Sequence, residues 1–218
     1  MKIRALTCVV AALNLSSLIS LAAEHPDTGS WNLLFSPDLS NAVEAGKWKM
    51  KDGVLVAGGH ETIWTKQSYG DFILDLEFKV EKSSNSGVFL RSSDIHNVLK
   101  ALEIQVHESS DKSPFGMVGA IYDACPPSKQ VAKPIGKWNR FTITCKGPHI
   151  GLIFNGEEVL DANLDEWREA HKNPDGTANK FSVALRNYAR KGPIGLQGLH
   201  GKEKAPVYYR NLRIKPLD

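Results

Sequence analysis

Phe72-Ile73-Leu74-Asp75-Leu76-Glu77-Phe78-Lys79-Val80 alternates with a period of two along its length. Phe72, Leu74, Leu76, Phe78 and Val80 fall on one face, and Ile73, Asp75, Glu77 and Lys79 on the other. Such a run is a strand with one face in a core, because successive side chains of extended backbone point to opposite sides. The pattern recurs downstream. Leu102, Ile104 and Val106 alternate with Glu103, Gln105 and His107, and Phe141, Ile143 and Cys145 with Thr142 and Thr144. Lys51-Asp52-Gly53 and Asn155-Gly156 are hairpin signals, the second stronger because Asn-Gly suits a type I′ turn. Further strands are predicted near Ile194–Gln197 and Val207–Ile214. One short helix is expected over Asp165–Lys172, capped by Asn163 or Asp165. Ten or more strands with so little helix predict an all-β fold, a jelly-roll β-sandwich of two antiparallel sheets.

The chain has 218 residues, 42% hydrophobic and 23% charged, an ordinary globular composition. The first 23 residues read as a secretory signal peptide. Lys2 and Arg4 are followed by an apolar run from Ala5 to Leu21, and then by small residues before Glu24. The remainder, 24–218, is expected to be one domain, secreted or periplasmic, with no membrane span after cleavage. Its charge is nearly balanced, and no basic run is long enough to suggest nucleic acid. Export permits a disulfide between Cys125 and Cys145, the alternative being two free thiols. The oligomeric state is left open.

In a two-sheet sandwich the polar partners of core residues face outward. On Gly87–Arg91, Val88 and Leu90 read as core, so Phe89 and Arg91 share the outer face. Glu103, Gln105 and His107 form a row with about 7 Å between neighbours, able to bind a sugar, ligate a cation or move a proton. His200, in Gln197-Gly198-Leu199-His200-Gly201, could approach that face from a loop. Tyr122 could supply a stacking ring or a phenol proton, or be core. Asp175-Gly176 is a weak calcium-loop signal within what reads as a plain turn. The chain has no Gly-x-Ser-x-Gly elbow, phosphate-binding glycine loop or His-Glu-x-x-His helix.

An ordered set of motifs resembles the 3-keto-disaccharide hydrolase domain family. These are Asn85-Ser86-Gly87-Val88-Phe89-Leu90-Arg91, Leu102-Glu103-Ile104-Gln105-Val106, Gly119-Ala120-Ile121-Tyr122, Gly136-Lys137-Trp138-Asn139, Phe154-Asn155-Gly156, Gly192-Pro193-Ile194-Gly195-Leu196-Gln197 and the segment Tyr209–Leu217. The chain departs from the family's Leu-Gln-Asp-His-Gly or Leu-Gln-Gly-His-Gly pattern, since Leu199 separates Gly198 from His200. The resemblance implies a concanavalin A-like jelly roll, a carbohydrate substrate and action on glycosides oxidised at C3. A ketone at C3 acidifies the C2 proton, so a base can form an enediolate, the C1 oxygen leaves by β-elimination, and water adds back. On that reading His107 or Glu103 is the base and Arg91 or a divalent cation stabilises the enolate. His200 or Tyr122 is the acid, and Gln105, Gln197 and Phe89 contact the sugar. Two alternatives are a non-catalytic, lectin-like glycan-binding module and a two-carboxylate glycosidase pairing Glu103 with Asp75, Glu77 or Glu108.

Overall fold

The structure, a computed structural model, describes residues 23–108, 113–201 and 204–218. The expected signal peptide lies outside the described residues except for Ala23. Among the described residues, the strands in chain order are β1 (Asn32–Leu33), β2 (Ala42–Val43), β3 (Lys49–Lys51), β4 (Val54–Val56), β5 (Ile63–Thr65), β6 (Phe72–Val80) and β7 (Asn85–Leu90). They continue with β8 (Leu102–His107), β9 (Trp138–Lys146), β10 (His149–Phe154), β11 (Glu157–Asn163), β12 (Gly195–Leu196) and β13 (Val207–Pro216). One sheet runs β11-β10-β9-β6-β13-β4-β3, with β1 also paired to β13, and the other runs β2-β5-β12-β7-β8. Every pairing is antiparallel. The fold is therefore the expected all-β, concanavalin A-like jelly roll. No described helix is long and apolar enough to cross a membrane.

The alternation of β6 decides which face is inside. Phe72, Leu74, Leu76, Phe78 and Val80 are buried against the smaller sheet's Val88, Leu90, Leu102, Ile104 and Val106 in one core. Phe78, Phe141 and Phe154 pack as an aromatic cluster, with ring centroids 4.6 and 4.7 Å apart around Phe141. Both hairpin signals close as read. Asp52 and Gly53, and Asn155 and Gly156, take the paired left-handed conformations of a type I′ turn. The outer face of β6 is less solvated than alternation implies. Asp75 is buried there, accepting hydrogen bonds from Arg140 and Thr142 beneath the segment that carries His25.

Three expectations need correction. Asp165–Lys172 is not an α-helix. Leu164–Glu166 makes a single 3-10 turn whose N-cap, Asn163, accepts from the Asp165 amide at 3.1 Å. The chain then turns inward because Trp167 is buried and its indole donates to Asn173 at 2.9 Å. Arg91 does not continue the outer face of β7. It takes a left-handed conformation (φ 50°), which ends the alternation and sends its side chain inward. Its guanidinium donates to Gly70 O and Gly147 O, each at 2.7 Å, and to Asp71 at 3.0 Å. Arg91 thus ties the end of the smaller sheet to the larger one and is not available to substrate. Phe89 does face outward, but it stacks on Trp64 with centroids 5.5 Å apart and is covered together with Ala101. Its role is packing. Cys125 and Cys145 are free thiols. Cys145 is sealed in the core, where burial pushes its thiol up to about 12, whereas Cys125 lies in the segment beyond β8.

Removing a buried, fully paired charge strands its partners. Arg91→Met is expected to lower unfolding free energy by about 3 kcal/mol, measured by urea denaturation. Sugar affinity at the pocket described next should stay within about twofold, because that pocket lies elsewhere. Undiminished stability, or lost sugar affinity in a folded variant, would return Arg91 to the list of ligand contacts.

Candidate active site

Gln105 stands opposite Gly87 and Glu103 opposite Phe89 in the β7–β8 register. That register turns Asn85, Glu103, Gln105 and His107 to the outer face of the smaller sheet. Gly87 leaves a vacancy there. A β-carbon on it would lie 2.3 Å from Glu103 Oε1 and 2.7 Å from Cγ. The Glu103 side chain therefore lies down across bare backbone instead of extending into water, and only 12% of it remains exposed.

Strand β8 is the edge of its sheet, and a short segment covers it. The Gln105 amide donates to Ala120 O, Gly119 N to Gln105 O and Tyr122 N to Glu103 O, each at 2.9 Å. Covering an open edge satisfies its backbone, and here it also sets Tyr122 beside Glu103. Asp123 follows in a left-handed conformation, and its carboxylate accepts from the Lys180 backbone amide at 2.6 Å. The Asn173–Asn179 turn braces this arrangement. Asn173 is buried and accepts from Trp167 at 2.9 Å and from Asn179 at 2.8 Å, while Asn179 accepts from Phe181 N at 3.0 Å. Asp175 closes the turn by accepting from Thr177. The turn's work is to hold Lys180 over the sheet.

Lys180 Nζ lies 3.9 Å from Glu103 Oε2 and 4.1 Å from the centroid of the Tyr122 ring. Nothing in the spacing of the sequence singled out Lys180, which is 77 positions from Glu103. On the far side, Gly198 packs where a β-carbon would meet Glu61 O at 2.5 Å and Gly59 O at 2.6 Å. The His60 ring donates to Leu199 O at 2.7 Å, and Leu199 N to Gly59 O at 2.7 Å. This contact sets His200 at the pocket mouth, so the inserted Leu199 does not carry it away. From within the core, Tyr209 OH donates to Ser86 Oγ, which donates to Gln197 O, both at 2.7 Å. That chain fixes the backbone from which Gln197 projects.

Together these elements enclose a cavity of about 310 Å³, lined by Asn85, Val98, Glu103, Gln105, Tyr122, Lys180, Gln197 and His200. Five of the eight residues proposed from sequence converge there: Glu103, Gln105, Tyr122, Gln197 and His200. His107 stands farther along the same row, opposite Asn85, and does not line the cavity. Arg91 and Phe89 lie elsewhere. Gln105 Oε1 and Gln197 Oε1 are buried acceptors without a donor. Buried polar atoms are normally paired, so these two mark where a ligand's hydroxyl groups would donate.

Burial pushes the Glu103 carboxyl up to about 7, against the pull of Lys180. Burial likewise pushes Lys180 below the usual lysine range, opposed by Glu103 and Asp123. A carboxyl that titrates near neutrality is suited to take up and return a proton. Among the described residues, one carboxylate lines the pocket. That carboxylate faces an ammonium group, and no three His, Cys, Asp or Glu side chains cluster among the described residues. Asp75 and Glu77 belong to β6 in the other sheet, and Glu108 does not line the cavity.

Fold and site together define a jelly-roll sandwich with a small polar pocket on its smaller sheet, built around one buried carboxyl. The chain belongs to the 3-keto-alpha-glucoside-1,2-lyase-like domain family, whose profile matches residues 30–215. It is 28% identical over 209 residues to a 3-keto-disaccharide hydrolase of Bacteroides thetaiotaomicron, covering 79% of this chain and 71% of that protein. A crystal structure of a candidate glycosyl hydrolase from Parabacteroides distasonis superposes with a TM-score of 0.81 at 36% identity, over 86% of this chain and 99% of that one. A second Parabacteroides distasonis structure, 20% identical with a TM-score of 0.72 over 86% of this chain and 94% of that one, shares the fold.

The raised Glu103 pKa is also a stability statement. The folded state holds the proton more tightly than the unfolded chain, so ionising Glu103 costs stability. That cost is absent below about pH 4.5, grows as pH rises to about 7 and is constant above. Glu103→Gln should therefore stabilise the protein by about 2–3 kcal/mol at pH 8 and far less at pH 4.5, measured by chemical denaturation at both. An equal gain at the two pH values would show that Glu103 is not desolvated as described.

Proposed function

We propose that this chain is an exported carbohydrate-active enzyme that cleaves 3-keto-glycosides, with Glu103 as the base that removes the C2 proton. The observation that carries the reading is a single carboxyl, raised toward neutrality by burial, beside two unpaired buried amide oxygens. Direct displacement at C1 needs two carboxylates about 5–10 Å apart, and among the described residues one lines the pocket. One base suffices where a ketone at C3 makes C2–H acidic. Family membership and the likeness to a 3-keto-disaccharide hydrolase support the same substrate class.

The steps balance as follows. Glu103 takes the C2 proton, and the C2–H electron pair forms the C2–C3 double bond while O3 becomes an oxyanion. That pair then forms C1=C2, the C1–O bond breaks, and the aglycone oxygen takes a proton from His200 or Tyr122. Water adds to C1 of the enone, a proton returns to C2, and the products are the 3-keto sugar and the free alcohol. Gln105 and Gln197 accept hydrogen bonds from ring hydroxyls and hold C2 against Glu103. A pure binding module has no use for a carboxyl titrating near pH 7, whereas a base that must ionise and be reprotonated in each cycle does.

The test is release of aglycone from a 3-keto-glucoside, followed together with the enone absorbance. Wild-type turnover is expected, with kcat/KM rising through about pH 7 as Glu103 ionises. Glu103→Gln should lose roughly 100-fold or more. Binding of unoxidised sugars without cleavage of any 3-keto-glycoside would establish the lectin-like reading instead.

A further inference from the structure

The reaction just proposed needs a positive group at O3 of the enediolate, and the residue read from sequence for that task, Arg91, is committed to Gly70, Gly147 and Asp71. We propose that Lys180 is the electrophilic catalytic residue, its ammonium group hydrogen-bonding O3 of a 3-keto sugar while Glu103 works on C2, so that this lysine selects the oxidised sugar at the chemical step. The inference rests on the proposed function and deepens it.

Geometry is the first support. In a ketone the carbonyl oxygen lies about 2.4 Å from the neighbouring carbon, from standard bond lengths. A base about 3 Å from C2 and a donor about 2.8 Å from O3, on the same side of the ring, then stand roughly 3–5 Å apart. Glu103 Oε2 and Lys180 Nζ are 3.9 Å apart. The second support is exclusivity: among the described residues that line the cavity, Lys180 alone carries a fixed positive charge. The third is preorganisation. The backbone of Lys180 is held by Asp123, Phe181 beside it is buried, and the buried Asn173–Asn179 pair braces the turn behind. An ammonium that is partly buried and already aimed reorganises little as charge develops, which makes such groups effective in transition states.

The charge on Lys180 acts differentially. A neutral C3 oxygen gains a hydrogen bond with one charged partner, whereas the oxyanion gains an ion pair with charge on both sides. Loss of the lysine should therefore appear in kcat more than in KM. It should also move Glu103. Lys180 lowers the pKa of that carboxyl, so its removal drives the acid limb of the pH profile upward. The other charged or titratable groups near the pair are Asp123 and Tyr122, against Lys180, Tyr209, from the core, and His200, across the cavity, and all remain in the variants.

The experiment compares wild type, Lys180→Met and Lys180→Arg on a 3-keto-glucoside, with thermal melting as the folding control. Lys180→Met is expected to lower kcat roughly 100- to 1,000-fold, change KM less than about threefold and raise the pH of the acid limb. Lys180→Arg, which keeps the charge, should recover at least about tenfold of the loss. A folded Lys180→Met variant within about threefold of wild-type kcat, or changed in KM alone, overturns the assignment. Chelator sensitivity of wild type reversed by a divalent cation, with Lys180→Met unimpaired, overturns it in favour of a metal. No rescue by arginine, together with borohydride trapping of substrate on Lys180, replaces the electrostatic role with a covalent imine. Absence of wild-type turnover overturns the proposed function itself, and is thereby distinguished from failure of the lysine assignment.

Discussion

The pairing of β7 with β8 is the constraint on which the site depends. With Gly87 opposite Gln105, the outer face of the smaller sheet receives a carboxyl, an amide and an imidazole in one row. A slip by one residue would turn all three into the core and expose Ile104 and Val106. That exchange is prohibitive, since both aliphatic residues are fully buried against the larger sheet. Hydrophobic burial on one face thus fixes the chemistry available on the other. Gly87 adds the second part: because it lacks a side chain, the Glu103 carboxyl lies on backbone, loses water and titrates near neutrality.

A desolvated carboxyl is a cost to the fold, and the structure offsets it with connected hydrogen bonds. Tyr209, Ser86 and Gln197 form a chain from the larger sheet through the core to the pocket wall. Asp123, Asn173 and Asn179 form another from the covered edge of β8 to the turn that carries Lys180. Both chains use buried polar groups whose geometry admits few alternatives, so they position side chains more narrowly than apolar packing would. Gln105 and Gln197 break this pattern, with carbonyl oxygens left unpaired in the pocket. Among the described residues, the one other buried side-chain atom left unpaired is His107 Nδ1, on the same row of β8.

The two faces of the sandwich have separate duties. On the larger sheet, Asp75 is buried with Arg140, Thr142 and His25, and the His25 ring is pushed down to about 4 by burial and by Arg140 and Lys133. Neutral His25 accepts from Gly156 N and donates to Thr142, which secures the segment ahead of β1 to the sheet. Every partner in that network is a neighbour within the fold, so the carboxylate serves structure. On the smaller sheet the buried carboxyl instead faces a cavity.

How much could be read along the chain follows from the range of the interactions concerned. Period-two alternation, the Asp-Gly and Asn-Gly turns and the row Glu103-Gln105-His107 are local features, and they sufficed for the all-β sandwich, the core face and the pocket residues Glu103 and Gln105, while Gln197, His200 and Tyr122 came from their glycine-flanked segments and the family resemblance. Arg91 escaped that reading because one left-handed residue reverses its direction, and Phe89 because Trp64 of β5 stacks on it across Gly195. Asp165–Lys172 escaped because burying Trp167 outweighs local helix propensity. Lys180 carried no local signal at all: it meets Glu103 only because Asp123, on the strip that covers β8, captures its backbone. Sequence alone determined the sheets and which face of each is apolar. Tertiary structure decided which polar residues lose their water, which gain a charge partner and which are left unpaired, because desolvation and hydrogen bonding depend on what folds across a residue and not on what lies beside it in the chain.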